Sequence, residues 1–145
     1  MSHLNDLKMG LGITGIDHFA YLVKDSASSA RAFEAFFPQR ILWRVAHLDQ
    51  RVYLSLLQGV DGIRIELVEP FAEQTLLQQQ LARSHHSCVP YHLCLRVSDF
   101  HDVRSRLLQE GWRTLTRPFR ALDGNAVASH LFHPAAGMVE IIGSV

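Results

Sequence analysis

Cysteine and lysine are both scarce in this 145-residue chain, with two of each: Cys88 and Cys94, Lys8 and Lys24. Two cysteines give no disulfide framework of the kind that staples small secreted domains. Long apolar runs are absent as well. None reaches the length needed to cross a bilayer, and the start, MSHLNDLKMGLG, has no sustained apolar core of a signal peptide. The expected location is therefore the cytoplasm. Net charge is missing too: 14 basic residues balance 14 acidic ones, so no global field draws the protein to nucleic acid or an anionic membrane. Because the basic residues are almost all arginine, the positive charge suits bidentate recognition of carboxylates and phosphates. The length fits one domain with a sizeable core.

The sequence does contain an internal repeat. GIDHFAYLVKDSASSARAFEAFFP opens with an apolar strand, passes Asp25, and continues with helical spacing at Ala30, Phe33, Phe36 and Phe37. PYHLCLRVSDFHDVRSRLLQEGW does the same, with Asp99 followed by Val103, Leu107 and Leu108 on one helical face. Asp25 and Asp99 stand where a helix N-cap is wanted, and Pro38 and Gly111 where each helix should stop. Two further strands are expected in each half, RILWRVAHL and RVYLSLLQ, then WRTLTRP and AVASHLFH. The closing strands are IRIELVEP and MVEII, with turns at Asp49-Gln50, Gly59 to Gly62, Asp123-Gly124-Asn125 and Ala135 to Gly137. Each half reads β-α-β-β-β, with module 13–69 and module 89–143 joined by a helix and linker at 70–88.

The unusual residues repeat with the pattern. His18 and His92 lie 74 apart, and so do Glu66 and Glu140 (92 − 18 = 140 − 66 = 74). A lone strand histidine is more often a core residue, and a lone strand glutamate more often meets water or an arginine such as Arg64 or Arg96. Four such residues at matched spacing point instead to a metal site with two nitrogen and two oxygen donors. Such a set suits Zn, Ni, Co, Mn or Fe(II), and the lack of a thiolate argues against a structural zinc knot. His47, His85, His86, His101, His130 and His133 have no counterpart across the repeat and are read as surface residues or as partners of ligands.

IDHFAYLVKD, IRIELVEP, YHLCLRVSDF and FHPAAGMVEII together resemble the vicinal oxygen chelate superfamily, over nearly the whole chain. The resemblance implies an α+β fold in which two tandem βαβββ modules form a curled mixed sheet around a metal. His18, Glu66, His92 and Glu140 fall on its four ligand positions. A His/Glu/His/Glu set is similar to bacterial glyoxalase I (lactoylglutathione lyase). The EP at Glu69-Pro70 and the HP at His133-Pro134 look more like methylmalonyl-CoA epimerase.

Both relatives imply a divalent-metal-dependent lyase or isomerase that enolises a small carbonyl or thioester substrate. The ion implied is Zn, Ni, Co or Mn rather than Fe. Glu140 is the expected base and Glu66 a second base or ligand. The epimerase pattern also places a further glutamate on the strand RVYLSLLQ, where this chain has no Asp or Glu between Arg51 and Val60, only Tyr53. Arg113, Arg117 and Arg120 are candidates to hold a substrate phosphate or carboxylate. Trp43 and Phe119 are read as packing residues. A homodimer is expected, as in many relatives. The alternatives are an Fe(II)-dependent extradiol-type dioxygenase and a non-catalytic ligand-binding or resistance member of the same fold.

Overall fold

A computed structural model describes residues 12–122 and 124–144. The N-terminal segment up to residue 11, where no leader is expected, and Asp123 of the expected turn lie outside the described residues. The described residues form two compact units, one of His18–Tyr91 and the other of residues 12–17 together with the described residues from His92 onward.

In the first unit the sheet order is β2-β3-β4-β1. The strands are β1 (Ile13–Val23, of which His18 onward belongs here), β2 (Gln39–His47), β3 (Val52–Gln58) and β4 (Arg64–Pro70). β4 runs parallel to β1 and antiparallel to β3, which in turn pairs antiparallel with β2. Strand alternation sends successive side chains to opposite faces, and each face has its own core. Ala20, Leu22, Leu54 and Val68 pack with Leu81 of α2 (Thr75–Ser84). Val23, Leu57, Ile65 and Leu67 pack with Ala30 and Phe33 of α1 (Ser26–Phe33). Asp25 caps α1 as its position in the sequence implies, its carboxylate accepting the Ala27 N–H at 2.9 Å.

The second unit has the order β5-β9-β8-β6, with a further short strand, β7, on β8. Its elements are β5 (Cys88–Val97, here from His92), α3 (Phe100–Gln109), β6 (Arg113–Thr114), β7 (Phe119–Arg120), β8 (Val127–His133) and β9 (Gly137–Gly143). Asp99 caps α3 by accepting the Asp102 N–H at 3.0 Å, and Gly111, just past the helix, takes a φ of +95° that favours glycine. Phe100, Val103, Leu131 and Ile141 fill the core between helix and sheet.

The registers repeat with the 74-residue offset. Ala20 faces Glu66 and Cys94 faces Glu140 across the parallel pairs. Leu56 faces Glu66 and His130 faces Glu140 across the antiparallel ones.

One expected element is corrected. WRTLTRP, residues 112–118, holds only the two-residue strand β6, and the second short strand, β7, begins after it at Phe119; each pairs with β8. Pro118 has no N–H for a ladder. Thr116 breaks the pairing further, because its Oγ1 accepts the His130 backbone N–H at 2.8 Å while its carbonyl accepts from Ser129 Oγ at 2.9 Å. No helix among the described residues is long and apolar enough to cross a membrane.

Candidate metal centre

Each unit contains one buried His/Glu pair on neighbouring parallel strands. In the first, His18 Nε2 of β1 lies 3.5 Å from Glu66 Oε1 of β4. In the second, His92 Nε2 of β5 lies 3.7 Å from Glu140 Oε1 of β9. His18, His92 and Glu140 are buried, and Glu66 is nearly so. They reach these places through strand alternation: His18 continues the inward row of Ala20 and Leu22, and His92 that of Cys94.

The separations carry chemical information. A hydrogen bond between nitrogen and oxygen spans about 2.7–3.2 Å, and both pairs exceed it. Two donors on one tetrahedral ion, each about 2.1 Å from it, stand about 3.4 Å apart. Each pair therefore has the spacing of neighbouring ligands, and imidazole with carboxylate is a donor set fit for a divalent cation.

His130 also reaches the second pair. It is buried on β8, opposite Glu140 in register, and its Nε2 lies 2.8 Å from Glu140 Oε2. Its ring centroid is 4.9 Å from that of His92 and 5.3 Å from that of Phe119. The sequence reading grouped it with five other unmatched histidines. Its signal was positional, since subtracting 74 from 130 gives Leu56, the strand neighbour of Glu66.

The expected substrate arginines are all exposed, Arg113 on β6, Arg120 on β7 and Arg117 in the connection between them. Trp43, read as a packing residue, is 45% exposed and lines a cavity of about 650 Å³ with Lys24, Asp25, Arg44 and Glu69. Arg44 adopts a φ of +51° between irregularities in the β2–β3 register. Its guanidinium covers the Tyr53 ring at 3.8 Å and reaches Glu69 Oε2 through Nη2 at 2.7 Å and Nε at 3.2 Å. Tyr53 also packs on Phe71 at 4.6 Å between ring centroids. Glu69 follows Glu66 by three positions, so alternation places it on the opposite face of β4. There it also accepts the Ser26 N–H at 2.9 Å.

Burial pushes the Glu69 carboxyl up, but the hydrogen bonds from Arg44 and Ser26 outweigh it and hold the group below its ordinary value of 4.5. The unfolded chain then binds this proton more readily. The pair's contribution is complete above the ordinary value and is lost as pH falls through the lower folded one. Thermal melts between about pH 6 and pH 3 should show a falling midpoint, and Glu69→Gln should flatten part of that slope. Parallel slopes for the two proteins would contradict the assignment.

Paired halves of the same strand order, each with a His/Glu pair at equivalent register, define a duplicated scaffold of the α+β class. The chain matches the family model for the Glyoxalase/Bleomycin resistance protein/Dioxygenase superfamily over residues 17–128, and it belongs to that superfamily. No curated protein matches it. Among solved structures it is similar to methylmalonyl-CoA epimerase from Mycobacterium tuberculosis, with 20% identity and a TM-score of 0.77 over 92% of this chain and 90% of that one. A Streptomyces coelicolor methylmalonyl-CoA epimerase variant in complex with 2-nitronate-propionyl-CoA gives 21% identity and a TM-score of 0.74, covering 92% and 99%. At these identities the likeness shows the fold, and that fold is the glyoxalase-like one.

Proposed function

We propose that this protein is a divalent-metal-dependent enzyme that removes and returns a proton next to the carbonyl of a small acyl-thioester or related substrate. The observation that carries the reading is the pair of His/Glu contacts at 3.5 and 3.7 Å, repeated at the same register in the two halves. In this reading His18, Glu66, His92 and Glu140 hold one ion. The neutral imidazoles supply nitrogen donors, and the two carboxylates balance the charge of a divalent cation. A cation bound there supplies positive charge beside the substrate carbonyl, which lowers the cost of α-proton removal. One of the two glutamates takes that proton. The strands hold both in fixed register, and burial of the donors keeps competing water away.

The epimerase names of the structural neighbours support a thioester substrate. The strand that carries the second acid of that pattern, β3 here, has no Asp or Glu, and its Tyr53 lies between Arg44 and Phe71. Proton exchange on one face of the carbon is therefore the expected activity. The exposed Arg113, Arg117 and Arg120 are proposed to meet an anionic group of the substrate.

Metal analysis followed by NMR of α-proton exchange in deuterated water tests the reading. Methylmalonyl-CoA and the methylglyoxal–glutathione hemithioacetal would be run side by side. One bound ion and deuterium uptake by either substrate support it. Stoichiometric metal retained in both His92→Ala and Glu140→Ala would overturn the site.

A further inference from the structure

We infer that the cavity between the start of α1 and the bulge of β2 is a ligand site for a small planar aromatic acid. It lies wholly within the first unit, on the face of β4 opposite Glu66, and the metal-dependent reading makes no use of it.

Three observations carry the inference. First, the strand that walls the cavity is bulged where it does so. Leu42 faces Leu56 and Val45 faces Leu54, so three steps along β2 match two along β3 and one residue is extra. Neighbours on a regular strand point to opposite faces. The bulge removes that alternation, and the consecutive Trp43 and Arg44 both line the same cavity. Arg44 takes its φ of +51° there, a conformation that residues with a side chain rarely adopt. Bulges recur beside active sites because they re-aim side chains in this way.

Second, the charges of the wall leave one group for a ligand. Arg44 and Glu69 neutralise each other through two hydrogen bonds, and Glu69 also accepts the Ser26 N–H. Asp25 turns one oxygen to the Ala27 N–H and the other to the Ser28 hydroxyl. Both acids and the first N–H groups of α1 are thereby engaged. Lys24 is different. It is exposed, its backbone N–H is tied to the Ser87 carbonyl at 2.8 Å, and among the described residues its ammonium has no ion-pair partner. An ammonium on a flexible stem is a point charge suited to an anion.

Third, size and stacking choose among anions. A volume of about 650 Å³ lies within the range of about 300–1,000 Å³ usual for small-molecule sites, and a bare phosphate would leave most of it to water. Trp43 is 45% exposed, and the Arg40 guanidinium lies 4.5 Å from the centre of its ring. A cation over one face steadies the indole and leaves the other face for an aromatic ring. A planar ring on Trp43 with its carboxylate toward Lys24 uses both groups.

The test uses the full-length protein labelled with nitrogen-15, with 2-naphthoate as the probe. The chain has two tryptophans, so two indole N–H signals report, and Trp43→Leu assigns them. Trp112, which packs on His133, is the reference. Naphthoate should shift the Trp43 signal with a dissociation constant of about 1 mM or below, the scale for a ligand of this size. Naphthalene-2-carboxamide lacks the charge, cyclohexanecarboxylate lacks the aromatic ring, and inorganic phosphate is the anion alone; each should bind more weakly. By calorimetry Trp43→Leu should weaken naphthoate about 2–10-fold, the effect of one lost aromatic pair. Lys24→Gln should weaken it about two- to fivefold, the effect of an exposed ion pair, and Lys24→Arg should restore it. Added salt should weaken naphthoate and leave the carboxamide unchanged. Both side chains are exposed, so circular dichroism should match wild type in every variant.

A Trp43 signal unmoved by naphthoate at about 10 mM would overturn the inference. So would equal affinity in wild type, Trp43→Leu and Lys24→Gln, which would put the probe elsewhere on the protein. Equal binding of the carboxamide would overturn the acid, and tighter binding of cyclohexanecarboxylate or phosphate would overturn the aromatic ring.

Discussion

His92→Ala is expected to lower divalent-metal affinity by more than a hundredfold and to abolish α-proton exchange. The change removes a ligand outright, so it should exceed the roughly 10–100-fold loss that follows removal of a ligand's outer partner. A hundredfold corresponds to about 2.7 kcal/mol. The same loss should appear in stability. A ligand at a hundred times its dissociation constant stabilises the folded state by about 2.7 kcal/mol. For a chain of this size, that is about 5–10 °C in melting temperature. Wild-type protein should therefore melt higher with saturating metal than with chelator, and His92→Ala should melt alike in both. His92 is buried beside Glu140, so some loss of stability in the metal-free variant is also expected. Comparing the metal-induced shift within each protein separates the two effects. An equal shift in wild type and variant would remove His92 from the site.

Phe100→Ala should be the most destabilising core substitution of the second unit, at about 3–5 kcal/mol. Phe100 follows the α3 cap, is fully buried, and packs with Val97, Val103, Leu131 and Ile141. Alanine would leave a cavity bounded by both helix and sheet, where neither side can collapse inward. Against a typical stability of about 5–15 kcal/mol the loss is severe. Urea denaturation should show it as a midpoint lowered by roughly 2–3 M with little change in slope. Ile141 sits beside Glu140 on β9, so metal affinity should fall as well. Phe36→Ala is the control. That side chain is 72% exposed, and its loss should change stability by no more than about 0.5 kcal/mol. A comparable loss in both variants would refute the packing argument.

The sequence was most informative where one residue type had a local physical job. Asp25 and Asp99 announced their helices because a cap needs a short acceptor at that position. The His and Glu strands were legible because alternation places every second side chain on one face, and a charge there stands out among apolar neighbours. The helix between the modules was expected at 70–88 and runs over Thr75–Ser84.

What escaped depended on partners far along the chain. Strands of two residues, such as β6 and β7, are too short to leave a period. The left-handed Arg44 sits in a bulge of β2, and the aromatic ring and carboxylate that meet its side chain, Tyr53 and Glu69, are far along the chain. His130 could be ranked above the other unmatched histidines only once the register to Glu140 was known.

β4 carries two carboxylates with different employers. Glu69 binds Arg44 and the start of α1 on one face, while Glu66 meets His18 on the other. They are three positions apart, about 10 Å along the strand. A slip of one residue would turn both to the wrong side, costing a helix anchor and a donor in a single error. The Arg44–Glu69 clamp therefore ties the register of β4 to the contact that Glu66 makes with His18 on the reverse of the same strand. A chain that pairs β4 out of step loses both contacts at once.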